Sequence, residues 1–325
     1  MKKNNFVYLL VSLVLITFVL GCSQDPIFSD IAKEIKLDDP TVRGNVLSMV
    51  QIGTNLYASN GNIATKPISQ KTGWKDYTSP SGNVTKVASD ENHLYALVTN
   101  QTDSDGDSYS YKVFAQVNAS GNWTQITSST SPITIFDNGA SGAARFAYLR
   151  DSSGVKQLNG ATLYASLTSI TENGAGTSTV SAAFLTSGSQ TFFADTLAFC
   201  SDGTNLFKAN GSTLQYSVDG NAWTNGPSTE EPTSYAYYEE NASTSYILVG
   251  TESGIQKVAL SVNVPTSVSR FGSNADTAFG TYIALNVFAF PSEVGSCYVS
   301  IVKKTSSRYN GLWGYYSDRG NWNYE

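Results

Sequence analysis

The chain has 325 residues, a formal net charge of −6 and 14% charged residues, against roughly 25% in an average soluble protein. Its excess of acids and its lack of a basic block argue against a nucleic-acid binder, and its single histidine, His93, argues against histidine-dependent catalysis and histidine metal centres. The 27 glycines, 19 tyrosines and 15 phenylalanines favour an all-β protein with many short strands and turns.

The chain begins with the features of a secretory signal. Two lysines precede an apolar run over residues 6–20, which is too short to span a bilayer comfortably. The run ends in Val19-Leu20-Gly21-Cys22, which resembles the lipobox of bacterial lipoproteins. The resemblance implies that residues 1–21 are a signal peptide, and that Cys22 becomes the first residue of the mature chain and carries palmitate or similar acyl chains. The first partner would then be the lipid bilayer.

The residues after Cys22 bear on location and on the tether. In several bacteria an Asp after the acylated cysteine retains lipoproteins in the inner membrane. Ser23 stands here instead, so the resemblance favours the outer membrane and leaves a periplasmic or surface-facing position open. We interpret residues 22–44 as a lipidated tether. Residues 30–37 form either a short helix or part of a disordered spacer.

The rest of the chain, residues 45–325, repeats. With Trp313 set aside, the tryptophans are separated by 49, 100 and 99 residues, which we interpret as one, two and two periods: Trp74, Trp123, Trp223 and Trp322. A second marker, residues 53–61, matches residues 203–211 closely, and weaker copies bring the number to six. Several short strands in each period of 40–50 residues predict a β-propeller with six or seven four-stranded blades. A pair of β-sandwiches is the main alternative.

One turn in the repeats has a motif of its own. Ser217-Val218-Asp219-Gly220-Asn221-Ala222-Trp223 resembles the Asp-box of sialidase-like propellers, with one residue missing between Asp and Gly. Degenerate copies end at Trp123 and Trp322. The resemblance implies a structural turn between outer strands, in which the aspartate accepts backbone hydrogen bonds and the tryptophan packs between sheets.

The densest acidic cluster is Asp103-Ser104-Asp105-Gly106-Asp107. Carboxylates at alternate positions can converge on a calcium ion, which makes Asp103, Asp105 and Asp107 candidate ligands. The EF-hand pattern is not met, since Ser108 and Phe114 occupy its sixth and twelfth positions. The alternative is an Asp/Gly-rich hairpin tip without metal. No other cofactor is predicted.

Two further groups of residues leave alternatives open. Cys200 and Cys297 form either a disulfide, which an oxidising periplasm permits, or two buried free thiols. Tyr235, Tyr237 and Tyr238 either pack between blades or contact a ligand.

These observations predict a membrane-anchored binding or scaffold module without catalytic activity. Its partner would be a protein or a glycan, held by loop tyrosines on one face of the ring. One alternative is a periplasmic factor for outer-membrane protein assembly. Another is a sialidase-like glycosidase, whose arginine cluster would have to come from Arg145, Arg150, Arg270 and Arg308. A closed ring also predicts that the last strand belongs to a blade completed from elsewhere in the chain.

Overall fold

The computed structural model describes residues 42–325, except for 138–146, 165–169, 173–176, 182–188, 194–199, 203–204, 219–221, 272–281, 291–292 and 303–309. The described residues belong to one compact unit, residues 41–325. They form strands and turns. No helix long and apolar enough to cross a membrane occurs among them.

The described strands form seven sheets, which we number as blades 1 to 7. Blade 1 contains β1 (Ser48–Ile52), β2 (Asn55–Ser59), β3 (Ile63–Pro67) and β4 (Lys75–Tyr77); blade 2 contains β5 (Val84–Ser89), β6 (His93–Gln101), β7 (Tyr109–Val117) and β8 (Thr124–Ser129). Blade 3 contains β9 (Thr134–Asp137), β10 (Ala147–Asp151), β11 (Gly154–Asn159) and β12 (Thr162–Tyr164); blade 4 contains β13 (Ile170–Glu172), β14 (Thr177–Ser181) and β15 (Ser189–Phe193).

The remaining three blades have four strands each. Blade 5 contains β16 (Cys200–Ser201), β17 (Leu206–Asn210), β18 (Thr213–Ser217) and β19 (Thr224–Ser228). Blade 6 contains β20 (Pro232–Asn241), β21 (Thr244–Thr251), β22 (Gly254–Ser261) and β23 (Val264–Arg270). Blade 7 contains β24 (Ile283–Ala289), β25 (Ser296–Val302), β26 (Gly311–Tyr316) and β27 (Asn321–Tyr324).

Every blade is an antiparallel meander in which sequential strands are neighbours. We call its strands A to D, from the inside outwards. A strands of successive blades contact each other, as β1 and β5, β5 and β9, and β20 and β24 do. Sheets stacked by their inner strands are a β-propeller, not a pair of sandwiches. The prediction of an all-β propeller is therefore confirmed, with seven sheets among the described strands.

The meander gives the ring two faces with different turns. The A–B and C–D turns lie at one end of every blade, and we call this end the A–B/C–D face. The B–C turns and the connections between blades lie at the other end, the B–C/D–A face. The described chain enters on the B–C/D–A face, where the Val42 N–H donates to the Glu325 carbonyl at 3.4 Å.

Apolar clusters fill the five seams whose side chains the structure describes, which are all seams except those of blade 4. Successive strand residues point to opposite sides of a sheet, so each blade serves two seams. Tyr57 packs in the cluster shared with blade 2, whereas its neighbours Leu56 and Ala58 pack in the cluster shared with blade 7. Tyr235 and Ala236 divide in the same way between blades 5 and 7. One blade alone would expose both of its apolar sides, and stacking therefore drives the fold.

The repeat analysis found blades 1, 2, 3, 5, 6 and 7 but missed blade 4. The two close copies of the second marker contain the B strands of blades 1 and 5, β2 and β17. Each tryptophan of the series lies at or next to the start of a D strand. The interval from Trp123 to Trp223 spans three blade steps and not two. These three steps take 100 residues together, whereas the single step from Trp74 to Trp123 takes 49, so equal spacing gave the wrong interval.

The last blade is closed differently from the expectation. β27 pairs with β26, and all four strands of blade 7 are consecutive in the sequence. The prediction of a blade completed from elsewhere is therefore wrong. Side chains join blade 7 to blade 1: Ser300 Oγ accepts from the Val46 N–H at 3.0 Å, and the Asn286 amide donates to the Val46 carbonyl at 3.2 Å.

Candidate functional site

The seam between blades 7 and 1 contains a fully buried lysine. Lys66, on β3, has no solvent-exposed side-chain surface. Its ammonium donates to the Tyr298 hydroxyl, to the Tyr316 hydroxyl at 3.4 Å and to the Lys71 carbonyl at 3.3 Å. It also lies 4.0 Å from Glu293 Oε1. The lysine of the first blade is thus held mainly by groups of the last blade.

Two buried carboxylates complete this network. Glu325 accepts hydrogen bonds from the Tyr316 hydroxyl at 2.8 Å and from the Trp74 indole N–H at 2.9 Å. Glu293 accepts from the Tyr298 hydroxyl at 3.0 Å. Burial raises the pKa of Glu325 to about 7 and raises that of Glu293, while the charge of Lys66 opposes both shifts. Burial likewise lowers the pKa of Lys66. The network joins the two ends of the ring, and its burial fits a structural role.

A second polar cluster joins blades 2 and 3 and contains the single histidine. Asp90 accepts from the His93 backbone N–H and from the Tyr95 hydroxyl, both at 2.7 Å. The Tyr95 hydroxyl in turn accepts from the Gly160 N–H at 2.9 Å. A Cβ atom on Gly160 would lie 2.9 Å from His93 Nε2, at a φ of +55°, so glycine is required there. His93 starts β6 next to a turn, as predicted, but its side chain is only 16% exposed.

A third cluster lies at the inner strands of blades 2 and 3. The Lys86 ammonium lies 3.8 Å from the centre of the Phe136 ring, and burial lowers the pKa of Lys86 to about 8 against the attraction of Asp137. Asp137 accepts from the Ser89 N–H at 3.1 Å. Phe136 stacks on Tyr148 with ring centres 5.2 Å apart. These contacts also connect one blade with the next.

The two glycosidase candidates that the structure describes lie in different blades. Arg150 lies on β10, the B strand of blade 3, whereas Arg270 lies at the end of β23, the outer strand of blade 6. Arg145 and Arg308 lie outside the described residues. An arginine site built from Arg150 and Arg270 has no support in this arrangement.

The calcium candidates lie in the hairpin turn between β6 and β7, on the B–C/D–A face. Asp103 Oδ1 accepts from the N–H groups of Gly106 and Asp107 at 3.0 and 3.1 Å. Hydrogen bonding, first from the Ser108 side chain, lowers the pKa of Asp103. Within the part of the chain that the structure describes, no three His, Cys, Asp or Glu residues are grouped so that they could hold a metal ion. The role of Asp103 is that of a turn residue, and the calcium prediction with Asp105 gains no support.

The Asp-box-like segment forms the C–D turn of blade 5, between outer strands as predicted. Ser217 is buried at the end of β18, while Asp219 and Gly220 lie outside the described residues. The Lys208 ammonium lies 4.1 Å from the centre of the Trp223 ring. In the degenerate copy of blade 2, Trp123 packs against the cluster of blades 1 and 2, and its N–H donates to the Thr78 carbonyl at 2.9 Å.

The remaining predicted residues have mixed outcomes. Cys297 is a buried free thiol, and the side chain of Cys200 is not described. Tyr235 and Tyr238 are buried between blades, which confirms the packing interpretation for these two. The predicted tether and Cys22 lie outside the described residues.

The exposed apolar side chains are distributed unevenly between the two faces. Among the described residues, seven large apolar side chains are exposed, and five of them are valines at A–B or C–D turns with exposures from 42% to 94%: Val117, Val218, Val262, Val264 and Val294. The other two, Leu47 and Tyr109, lie on the B–C/D–A face. The sequence analysis predicted exposed loop tyrosines on one face and did not identify the valines. The feature that could have identified them is their position beside polar turn residues.

The A–B/C–D face also carries acidic side chains. Glu239 and Glu240 end the A strand of blade 6, and Glu91 is exposed in the A–B turn of blade 2. Asp318, which is 62% exposed, pairs with Lys71 across the seam of blades 7 and 1. The face therefore carries both exposed valines and acidic side chains, one of which is paired with a lysine.

Comparisons with known proteins find similar solved structures at low sequence identity. A search of curated proteins finds no match. The fold is similar to the β-propeller domain of the trilobed protease from Pyrococcus furiosus (8% identity, TM-score 0.43, 87% of this chain and 96% of that one). It is also similar to a glucose dehydrogenase (10% identity, TM-score 0.47, 86% and 97%) and to the calcium-binding protein regucalcin from Agrobacterium tumefaciens (10%, 0.42, 83% and 92%).

The family assignment comes from the sequence. The model of the TP013X lipoprotein family matches residues 4–280, which include the lipobox and most of the propeller. A lipoprotein family implies a lipid-anchored protein of the cell envelope, in agreement with the interpretation of Cys22. The chain belongs to the TP013X lipoprotein family.

Proposed function

We propose that this lipoprotein is a non-catalytic binding module that holds a protein partner on the A–B/C–D face of its propeller. The acylated Cys22 would keep the module at the outer membrane. The observation that carries the proposal is that five of the seven exposed large apolar side chains among the described residues are valines on one face. An exposed aliphatic side chain gains about 1.5–3 kcal/mol when it is buried, and this gain is available to a partner.

The chemistry of the face favours a protein over a glycan. Glycan sites typically offer aromatic rings for sugar faces, but the exposed residues here are aliphatic. Propeller tyrosines such as Tyr235 and Tyr238 are used in the seams. Shape and apolar contacts suffice for binding, and none of the three polar clusters has to take part in a reaction.

The test compares the two faces. The A–B/C–D variant is V117D/V218D/V294D, and the matched control on the opposite face is L47D/Y109D. Photo-crosslinkers placed beside each set in the full-length protein, in intact cells, identify the partner. We expect the first variant to lose crosslinking and the control to retain it, with both melting near the wild-type temperature. Loss confined to the control would overturn the proposal.

The anchor has an independent test. Only a thiol can form the thioether of a lipoprotein, so Cys22→Ser should give an unprocessed chain that incorporates no labelled palmitate. Equal labelling of wild type and variant would contradict the assignment of Cys22.

A further inference from the structure

One turn on the A–B/C–D face has a backbone that does not suit its residue. Val262 and Asn263 form the two-residue connection between β22 and β23, with Ser261 paired to Val264. Both central residues have positive φ, 49° for Val262 and 63° for Asn263, as in a type I′ turn. Asn and Gly are the preferred residues in this conformation. A β-branched residue there is an outlier, because its side chain crowds the backbone.

No packing of the Val262 side chain within the fold compensates for this strain. Its side chain is 94% exposed, the largest value among the exposed large apolar residues described. The turn itself is well anchored, since the Asn263 carbonyl accepts from the Asn205 amide of blade 5 at 2.9 Å and Pro265 is buried. The valine is therefore held on a fixed tip, strained and fully hydrated. Strain that the fold does not need is a marker of function.

We infer that Val262 is the anchor residue with which this face enters an apolar pocket of the partner protein. The inference rests on the proposed function and names the contact within it. Val264, also exposed, adjoins the tip on the same turn and would cover the rim of the pocket. A preformed tip loses little conformational entropy on binding, because the β-branched side chain and the anchored turn are already ordered.

The charges around the tip specify the chemistry of the pocket. The A strand of the same blade ends at this face in two half-buried carboxylates, Glu239 and Glu240, and Glu240 lies 4.0 Å from Lys257. Among the described residues no cation lies within 4.0 Å of Glu239, and this carboxylate repels the anionic surface of a bilayer but complements a lysine or arginine at the rim of an apolar pocket. The partner is thus a protein with an apolar pocket and a basic rim.

The test uses a substitution whose effects on stability and binding have opposite signs. Val262→Asn places a preferred residue in the turn, so the melting temperature should rise by about 2 °C. The probe is the protein crosslinked from position 218 of the wild-type chain, identified and purified. Its affinity for the V262N variant should fall at least tenfold. Leu47→Asn is the matched control: Leu47 is also exposed but lies on the opposite face, and its replacement should change the affinity by less than about twofold and the melting temperature by less than about 1 °C.

Each other outcome contradicts a defined part of the inference. A melting temperature lowered by V262N would show that Val262 stabilises the fold, and affinity within twofold of wild type would show that it is not the anchor. Either result would contradict only the role of Val262, and the proposal that the partner binds the A–B/C–D face would stand. If the wild-type protein bound phosphatidylglycerol vesicles and V262N abolished that binding, the surface that Val262 contacts would be a lipid surface and not a protein pocket. Crosslinking only from position 109, on the opposite face, would overturn the proposed function together with this inference.

Discussion

The seam between blades 7 and 1 and the seam between blades 1 and 2 perform the same task with different chemistry. Blades 1 and 2 share an apolar cluster, and the Ser48 hydroxyl accepts from the Val87 N–H at 2.7 Å. Backbone bonds between Gly61 and Val84 extend this contact. Blades 7 and 1 add a buried lysine and two buried carboxylates to their apolar cluster.

The separation of the partners in the sequence accounts for this difference. Blades 1 and 2 are joined by a short connection, so they meet early and apolar packing is enough. Lys66 and Tyr298 are 232 residues apart, and Trp74 and Glu325 are 251 apart. A buried charge is costly in any arrangement that leaves it unpaired. Our hypothesis is that the ionic network penalises every docking of the last blade except the one that closes the ring.

The largest expected effect comes from removing the charge at the centre of the closing seam. Lys66→Ala would leave Glu293 and Glu325 buried without their cation, and we expect the free energy of unfolding to fall by about 3–5 kcal/mol. Urea denaturation of the full chain measures this change. A loss under about 1 kcal/mol would show that the seam tolerates two unpaired carboxylates, and the hypothesis of an ionic closure would then be wrong.

Replacing the whole network should recover most of that loss. The variant K66M/E293Q/E325Q removes all three charges but keeps amide oxygens that can accept from Tyr316, Tyr298 and Trp74. Neutral substitutes of similar volume commonly match buried ion pairs in stability, so we expect unfolding within about 1–2 kcal/mol of wild type. If closure is the purpose of the charges, refolding should nevertheless yield more misassembled or aggregated protein. Wild-type refolding yields would argue against that purpose.

The closing seam should also respond to pH near neutrality. The pKa of the Glu325 side chain is about 7 in the folded protein against 4.5 for an unperturbed carboxyl, so the folded state binds more protons between these values. Stability should therefore decrease as pH rises from about 4.5 to 7, by roughly 2 kcal/mol. Glu293 acts in the same direction, and the lowered pKa of Lys66 has the opposite sign at alkaline pH. Denaturation of wild type and E325Q at pH 5 and 7.5 tests this, and the variant should show the smaller change.

A smaller effect is expected at the apolar seam. Ser48→Ala would remove the acceptor for the buried Val87 N–H and should cost about 1–2 kcal/mol, without pH dependence between 5 and 8. The same denaturation series measures it. A cost equal to that of Lys66→Ala would remove the distinction between the two seams.

The smallest effect is expected at the histidine. His93→Ala should cost under about 1 kcal/mol, because Asp90 keeps its bonds to the backbone N–H of residue 93 and to the Tyr95 hydroxyl. Partner crosslinking should be unchanged. A loss of crosslinking with an intact fold would place His93 in the binding site.

The sequence by itself determined the strand content and most of the repeat. Alternation of apolar residues predicts strands with two buried sides. Tryptophans mark the D strands, and Trp74, Trp123 and Trp322 each pack in the cluster shared with the preceding blade of the ring. Blade 4 has no such marker. It lies in a stretch rich in Ser, Thr, Ala and Gly, where neither tryptophan spacing nor hydrophobic pattern distinguishes a blade from a loop. The lipobox is a local sequence motif, so its prediction does not depend on tertiary contacts.

Only the tertiary structure decided which residues meet across the ring and which turns share a face. Lys66 is an ordinary strand residue in the sequence, and its burial depends on Glu293 and Glu325, which arrive from more than 200 residues away. Val262 is likewise unremarkable until the hairpin fixes its positive φ and the meander places its turn at the A–B/C–D face. Local sequence specifies local geometry. Burial, charge pairing and the grouping of turns depend on contacts between distant blades, which no single segment encodes.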